Sequence, residues 1–285
     1  MSQYANSLPN DLLRLQSSDG ARIAVSLFGG QLCSWQTADG IERLFVSTRA
    51  HWDNQRAIRG GVPIIFPQFG TAGAGPRHGF ARTLPWTLVS SSSDDRDGAV
   101  MRLSLTNLAA RKQFSEFDFG LMIDIRFSGN LLLLSLHVEN TGSAPLSYSA
   151  ALHTYLRTNV TTALISGLQH KSYRDVVDGD RLKIDSASDI LIDKEIDRLY
   201  LQAHSDIVLR SDASIIRVSQ TGFTEAVVWN PWVDKTALLS DCAPGDYLNF
   251  VCIEAARADR AHHLLPGQCW QGTQILHALQ LSKTH

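Results

Sequence analysis

The chain has 285 residues, 26 basic and 28 acidic side chains for a formal net charge of −2, and an apolar fraction of 44%. This length suits one large domain or two small ones, and the apolar fraction is ordinary for a globular protein with a large core. The near-neutral charge argues against broad nucleic-acid binding, which needs a basic surface, but it leaves room for a local basic pocket.

The cysteines and the apolar runs indicate the compartment. Four widely spaced cysteines are present, and no CxxC or Cys/His cluster suggests zinc, so we expect reduced thiols and no metal site. The N-terminal segment has no apolar core of signal-peptide length, and no later run approaches a membrane span. We therefore expect a cytoplasmic protein without a membrane partner. The four cysteines are Cys33, Cys242, Cys252 and Cys269.

Short strands dominate the first half of the chain. Residues 12–28 are predicted to form a hairpin around Ser-Asp-Gly, and QLCSWQ and ERLFVS are predicted to follow as strands. Three later runs alternate apolar and polar side chains, which predicts half-buried strands: AVMRLSLTN, FGLMIDIRFSG and LLLLSLHVEN. The segment SSSDDRDG, at 91–98, is predicted to be a solvated connection, and RKQFSEFDF, at 111–119, could hold one turn of helix.

The second half continues this rhythm. PLSYSAALHTYL and YLNFVCIEAARA are predicted as strongly apolar strands, VVWNPW ends a strand in a proline turn, and LLPGQCWQGTQILHALQL closes with a turn and a final strand. Strands at roughly ten-residue spacing indicate an all-β fold, an antiparallel sandwich or barrel, and not alternating βαβ units. No repeat or composition shift marks a boundary, so we expect a single domain over residues 1–285.

The stretch from Arg59 to Trp86 concentrates glycine, proline and arginine in the segments RGGVPIIFPQFG, TAGAGP and RHGFARTLPW. Glycine permits positive φ and a close approach to a ligand, and proline stiffens a loop. Arginine can bind a phosphate or carboxylate through two parallel hydrogen bonds. Rigid loops with several arginines favour a preformed anion pocket. The alternative is that Arg59 and Arg82 are ordinary surface arginines.

Two ionisable residues, His153 and Glu254, lie inside apolar strands. A buried carboxylate without a partner is costly, so Glu254 must be paired or face a cleft. An acid and a histidine lining one cleft could perform general acid–base catalysis. The alternative is a satisfied core histidine and a glutamate paired with an arginine, and the pattern alone does not place the two together. Trp229 is interpreted as a core residue, whereas Phe66 and Phe69 could equally line a pocket or pack in the core.

Six motifs resemble, in this order, the glucose-6-phosphate 1-epimerase (hexose-6-phosphate mutarotase) branch of the aldose 1-epimerase family: RGGVPIIFPQFG, HGFAR, ALHTYL, DRLY, VVWNPW and FVCIEAA. The resemblance covers about residues 20 to 281. It implies a large antiparallel β-sandwich that interconverts the α and β anomers of glucose 6-phosphate and related hexose 6-phosphates. It also implies a small-molecule sugar phosphate as the ligand and no metal, nucleotide or other cofactor. A monomer is the default for a chain with no amphipathic interface helix.

The resemblance also implies a catalytic pair. His153 matches the family's general acid and Glu254 its general base. Glu254 is expected to be ionised near neutral pH, since its reference pKa is about 4.3, and to take the proton from the anomeric hydroxyl. His153 in its protonated form, accessible with a pKa near 6.5, would donate to the ring oxygen. The ring opens, the C1–C2 bond rotates, and closure on the opposite face gives the other anomer.

The remaining residues implied by the resemblance bind the substrate. Arg59 and Arg82 match the sugar-phosphate-binding arginines, and His78 matches a second histidine that helps to hold the sugar ring. Asp197 matches the substrate-binding aspartate. Arg77 stands where relatives can carry a glutamine that contacts the substrate, so it either reaches the phosphate or points away.

Two other functions are open from the sequence. The first is a mutarotase for unphosphorylated hexoses, in which the arginines serve structure. The second is a non-catalytic sugar-phosphate sensor that kept the pocket and lost turnover. A sensor would be expected to lack the acid or the base, and both His153 and Glu254 are present.

Overall fold

The structure is a computed structural model, and it describes residues 8–73, 75–94, 98–106, 118–212 and 214–279. In this part of the chain one short α-helix, Trp232–Ala237, accompanies twenty β-strands. Four 3₁₀ turns connect strands at Ala81–Thr83, Val160–Thr162, Val176–Asp178 and Asp246–Leu248. The strands are β1 (Leu13–Gln16), β2 (Arg22–Ser26), β3 (Gln31–Gln36), β4 (Ile64–Ile65), β5 (Thr87–Asp94), β6 (Gly98–Thr106), β7 (Phe119–Ser128), β8 (Leu131–Asn140), β9 (Leu146–Leu152), β10 (Tyr155–Arg157), β11 (Leu164–Ser166), β12 (Ser172–Asp175), β13 (Arg181–Ile184), β14 (Ile190–Leu191), β15 (Ile196–Tyr200), β16 (Ile207–Arg210), β17 (Ile215–Thr221), β18 (Glu225–Asn230), β19 (Phe250–Leu264) and β20 (Cys269–Leu279).

The strands form three sheets, and the pairings between these strands are antiparallel. A small sheet has the order β1-β2-β3. Sheet I has the order β13-β12-β15-β18-β19-β9-β4, with β10 also paired to β19. Sheet II has the order β14-β11-β16-β17-β20-β8-β7-β6-β5. The all-β, antiparallel fold predicted from strand spacing is therefore confirmed.

The main core lies between the two large sheets. Ile123 and Leu134 of sheet II belong to the same buried cluster as Val251 and Ile253 of sheet I. Successive side chains of a strand point to opposite faces, so the alternating runs of β6, β7 and β8 each supply one apolar face to this core. The architecture is the large antiparallel β-sandwich that the family resemblance implied.

A second, smaller cluster covers the opposite face of sheet I. Cys252 belongs to it, together with Trp229 and Tyr155 from neighbouring strands. Because β19 alternates, Val251 and Ile253 face the main core, whereas Cys252 and Glu254 face the outer cluster. The apolar run around Glu254 is thus a strand buried on both faces, and the carboxylate lies outside the inter-sheet core.

Three predicted segments differ from the structure. ERLFVS forms no continuous strand, because its residues bridge separate segments, as in Leu44 with Leu156 and Val46 with Gly60. Residues 91–94 of the predicted connection extend β5, an edge strand of sheet II whose side chains at 91–93 face water, and residues 95–97 lie outside the described part of the chain. The strand of VVWNPW ends at Asn230 as predicted, but Pro231 then stands at the N-cap of the short helix instead of in a simple turn.

Two other expectations concern loops and compartment. The turn of helix expected around 111–119 falls largely on residues 107–117, outside the described part of the chain. The four cysteines are free thiols, three of them buried and Cys269 exposed. No helix among the described residues is long and apolar enough to cross a membrane.

Candidate active site

His153 and Glu254 meet on the outer face of sheet I. The Nε2 atom of His153 lies 3.3 Å from Oε1 of Glu254, and both side chains are buried. The residues are distant in sequence, but β9 pairs with β19 through Leu152 and Ala255, which places His153 beside Glu254. The His153 N–H donates to the carbonyl of Pro63 at 3.0 Å, which fixes the break between β9 and β10. The structure therefore brings together the two residues that the sequence singled out.

Burial sets the protonation of this pair. It raises the pKa of Glu254 well above its usual value, Asp197 adds to the effect, and Arg82 opposes it. Burial also lowers the pKa of His153 well below its usual value, and nearby positive charges add to that effect. The free site thus favours a protonated Glu254 beside a neutral imidazole. The expectation of an ionised Glu254 started from a reference pKa, which ignores desolvation, and burial acts against it in the free protein.

The pair still holds the one proton that acid–base chemistry needs. Transfer of that proton from Glu254 Oε1 to His153 Nε2 gives a carboxylate–imidazolium pair with the same proton count, over a contact of 3.3 Å. His153 Nδ1 and Glu254 Oε2 are buried, and neither atom has a hydrogen-bond partner among the described residues. Buried polar atoms without partners cost free energy, so these atoms are suited to a ligand that supplies hydroxyl groups.

His78 is the second histidine of the site. Its ring lies 5.9 Å from the ring of His153, and Phe69 packs edge-on against its other side at 5.1 Å. Its Nδ1 accepts from the Gly70 N–H at 3.3 Å, which leaves the proton on Nε2. Burial lowers the pKa of His78 to about 3, with nearby arginines adding to the effect, so the ring is neutral. His78 can therefore donate one hydrogen bond to a neutral acceptor such as a hydroxyl oxygen.

Two glycines allow these loops to pass close to the strands. Gly60 has φ +114°, and a Cβ there would lie 2.3 Å from the carbonyl oxygen of Phe45. Gly79 has φ +68°, and a Cβ there would lie 2.0 Å from the carbonyl oxygen of Phe66. Any side chain would force the backbone away at either position. These contacts explain the glycines beside Arg59 and His78, and Phe66 itself is buried in the main core.

Arg59 and Arg82 are held differently. Arg59 donates from Nη1 to the Tyr155 hydroxyl at 3.0 Å and contacts Asp241 from Nη2 at 3.1 Å. Burial opposes its charge but is outweighed by Tyr155 and Asp241, so the pKa of Arg59 is raised. Arg82 donates to the carbonyl of Arg77 at 2.8 Å, and its buried Nε has no partner among the described residues. Burial lowers the pKa of Arg82 to about 10, which leaves it charged at neutral pH.

The two guanidinium groups line one cavity of about 290 Å³, and Tyr155 lies in the same wall. Arg82 forms no ion pair with a carboxylate among the described residues, so its charge is available to a ligand. A half-buried cation without a counterion is costly unless an anion arrives. The cavity can therefore bind a small anion such as a phosphate group. Its lining also includes His51, Arg56, Ala57, Ile58, Pro63, Leu238, Leu239, Ser240 and Asp241.

Asp197 lies two strands away from Glu254 on the same outer face. It pairs with Trp229 across β15 and β18, and Trp229 pairs in turn with Cys252 of β19. Burial raises the pKa of Asp197 to about 6, and the charges of Lys235 and Arg77 oppose the shift. Arg77 is exposed, and its charge acts on both Asp197 and the neighbouring histidine. Asp197 thus belongs to the same charged surround, and Arg77 lies at its solvent edge.

Three site residues lie outside the set that the sequence predicts. Trp229 is predicted as core, and it is buried, but its ring also packs edge-on against His153 at 5.7 Å. Tyr155 stacks on His153, and its position two residues later in a strand was a usable signal. Asp241 reaches Arg59 from a distant loop, and no local pattern indicated it.

No group of three or more His, Cys, Asp or Glu side chains within the described ranges could hold a metal ion. The expectation of a cofactor-free reaction stays a prediction. The fold and the site together define a class of protein. It is a β-sandwich with a buried histidine–carboxylate pair that can transfer protons, next to a cavity that can bind a small anion.

Comparisons with known proteins identify the family. The chain matches the aldose 1-epimerase family over residues 11–277, and it belongs to that family. A curated protein of Cenchrus ciliaris named "Putative glucose-6-phosphate 1-epimerase" is 32% identical over 90% of this chain and 82% of its own length. A protein of the same name from Escherichia coli K12 is 32% identical over 83% of this chain and 80% of its own length. The crystal structure of a "putative mutarotase" from Salmonella typhimurium superposes on this chain with a TM-score of 0.87 and 25% sequence identity. The superposition covers 96% of this chain and 92% of the other.

Proposed function

We propose that the protein interconverts the α and β anomers of glucose 6-phosphate and related hexose 6-phosphates. Membership of the aldose 1-epimerase family supports an epimerase that acts on a small sugar. The observation that carries the finer proposal is the His153–Glu254 contact of 3.3 Å beside a cavity lined by Arg59 and Arg82. The pair supplies acid–base chemistry, and the arginines supply recognition of a phosphate.

The reaction begins when the sugar occupies the site. Glu254 in its carboxylate form takes the proton of the anomeric hydroxyl, and His153 in its imidazolium form donates a proton to the ring oxygen. The C1–O5 bond breaks as the C1 carbonyl forms, so the aldehyde is neutral and the pair again holds one proton. After rotation about C1–C2, the ring closes with the roles reversed. The proton count of the pair is the same before and after each step.

The phosphate has a second role in this scheme. A bound phosphate carries about 1.5 to 2 negative charges at neutral pH. The positive charges of Arg82 and Arg59 contribute to the lowered pKa of His153, so an anion between them opposes that effect. Binding the correct substrate therefore favours the imidazolium form of His153. Free glucose brings no such charge, and we expect it to react more slowly.

His78 and Asp197 complete the proposed binding site. The neutral His78 ring donates to a sugar oxygen, and Asp197 accepts from sugar hydroxyls at the other side of the pair. Trp229, packed edge-on against His153 at 5.7 Å, provides an apolar surface for a C–H face of the ring. We assign Arg77 to the rim, where its charge attracts the anion without a fixed contact.

The test is exchange between the anomers of glucose 6-phosphate, followed by NMR after subtraction of the spontaneous rate. Native protein should accelerate exchange, and Glu254→Gln should abolish the acceleration. Arg82→Ala should raise KM for glucose 6-phosphate about tenfold or more, because a charge-assisted hydrogen bond is lost. The exposed Arg22→Ala is the matched control and should behave as native.

Two outcomes contradict the proposal and identify what replaces it. If native protein binds glucose 6-phosphate but leaves the exchange rate unchanged, the protein is a sugar-phosphate sensor. If free glucose and glucose 6-phosphate are exchanged equally well, and Arg82→Ala affects neither, the arginines serve structure and the protein is a mutarotase for unphosphorylated hexoses.

A further inference from the structure

Tyr155 contacts both halves of the site. Its hydroxyl accepts a hydrogen bond from Arg59 Nη1 at 3.0 Å. Its ring stacks on the imidazole of His153, with centroids 4.8 Å apart and planes 11° apart. Tyr155 is therefore a single buried side chain between the anion-binding arginine and the proposed general acid.

The stacked ring restricts the imidazole of His153. Trp229 packs edge-on against both rings, at 5.7 Å from His153 and 6.0 Å from Tyr155. Phe250 supports the far side of Tyr155 at 5.1 Å, and Phe45 stacks on Phe250 at 4.7 Å. With one ring stacked on its face and a second ring packed edge-on against it, the imidazole keeps Nε2 directed at Glu254. This packing explains how a side chain at a strand break can hold a defined orientation.

The hydroxyl of Tyr155 serves the opposite end. Burial raises the pKa of Tyr155, so the phenol keeps its proton. The oxygen accepts from Arg59, and the O–H proton is free to be donated. Tyr155 lines the same cavity as Arg59 and Arg82, so a phosphate placed between the arginines lies within the neighbourhood of this donor.

The backbone joins the same elements. The Tyr155 N–H donates to the carbonyl of Gly61 at 2.9 Å, and the Phe45 N–H donates to the carbonyl of Tyr155 at 3.0 Å. The loop that carries Arg59 is thus bonded directly to the strand that carries Tyr155. Arg59 is therefore connected to Tyr155 both by its side-chain hydrogen bond and by the backbone bond from Tyr155 to Gly61.

We propose that Tyr155 is a positioning residue that ties phosphate recognition by Arg59 to the orientation of His153. The inference rests on the proposed function, since it concerns how that site distinguishes a phosphorylated sugar. It predicts that the two parts of the side chain have separable effects, with the hydroxyl acting on substrate binding and the ring acting on turnover.

The experiment compares native protein with Tyr155→Phe and Tyr155→Leu. Tyr155→Phe keeps the stacked ring and loses the hydroxyl, so KM for glucose 6-phosphate should rise about tenfold while kcat changes less than about twofold. Tyr155→Leu also loses the ring, so kcat should fall by about tenfold or more, because the acid is misplaced. Tyr247→Phe, which packs on Trp232 away from the pair, is the control and should match native protein.

A second measurement does not depend on turnover. Protein with ¹⁵N-labelled histidine is titrated with inorganic phosphate, and the His153 ring signals are followed by NMR. In native protein the signals should shift in a saturable way, and Tyr155→Phe should weaken the apparent phosphate Kd about tenfold. Melting temperatures establish that each variant is folded.

The outcomes separate the two proposals. Unchanged KM and unchanged phosphate Kd in Tyr155→Phe, in a native protein that catalyses exchange, overturn the role of Tyr155 and leave the proposed function standing. If native protein shows no exchange activity, but phosphate shifts its His153 signals and Tyr155→Phe weakens that response, the role of Tyr155 stands and the proposed function is overturned. A native protein whose His153 signals do not respond to phosphate overturns the link directly.

Discussion

The raised pKa of Asp197 makes the stability of the protein depend on pH in a defined direction. Replacing Asp197 with asparagine keeps the shape and removes the charge. The folded protein holds the Asp197 proton up to about pH 6, whereas the usual pKa of an aspartate is 3.8. Stability from the protonated form is fully present below pH 3.8 and is lost as pH rises through 6. The asparagine side chain of the variant does not titrate, so the variant loses nothing over this range.

The difference between 3.8 and about 6 sets the magnitude. At about 1.4 kcal/mol for each pH unit, it corresponds to about 3 kcal/mol at most. Because Asp197 is half-buried and water reaches part of it, we expect about 2 kcal/mol. With an unfolding entropy of about 2.1 cal/mol/K per residue, that gain raises the Tm by about 3 °C.

Urea unfolding at several pH values from 4 to 8 measures this effect. The free energy of unfolding of Asp197→Asn, minus that of native protein, should grow between pH 4 and pH 7 and then level off. The exposed Asp234→Asn in the short helix is the control and should give a small difference at every pH. A difference that is flat with pH, or a variant that is less stable at pH 8, would refute the burial argument for Asp197.

Three further predictions follow from the site. Phosphite dianion should accelerate exchange of free glucose by occupying the cavity of the arginines, and Arg82→Ala should remove this activation; equal activation in both proteins contradicts the role of the anion. Glu254→Gln should gain stability over native protein as pH rises above 4.5, because the unfolded native chain ionises Glu254 there while burial disfavours the carboxylate in the fold, and glutamine does not titrate; thermal unfolding at pH 5 and pH 8 measures the gain. Gly60→Ala should lower the free energy of unfolding by more than about 2 kcal/mol, because the new Cβ would lie 2.3 Å from the carbonyl oxygen of Phe45. Gly20→Ala has no atom within 4 Å of the new Cβ, so it should lower the free energy of unfolding only by its backbone strain of about 1 kcal/mol. Urea unfolding compares the two variants.

The parts of the fold that are determined by residues close together in the sequence could be predicted from it. The hairpin of β1 and β2 follows from a Ser-Asp-Gly turn between apolar runs. The strands β6, β7 and β8 follow from strict alternation, because each has one face on the core and the other toward water. ERLFVS has a similar local pattern, but its partners are three different segments, so no ladder forms.

The site depends on strand pairing and on burial, which a single sequence does not reveal. His153 reaches Glu254 only because β9 pairs with β19, and the resemblance supplied what the spacing could not. The prediction of an ionised Glu254 used a reference pKa, and a single sequence does not show the burial that raises the pKa of this carboxyl group. Asp241 is held beside Arg59 by a loop that carries no motif, so only the structure could show the contact.

The two faces of β19 perform different tasks. Val251 and Ile253 hold the sandwich together, while Cys252 and Glu254 lie on the outer face of the same strand, where Glu254 meets His153. A substitution of Glu254 would therefore change the acid–base pair and leave the contacts of Val251 and Ile253 between the sheets in place.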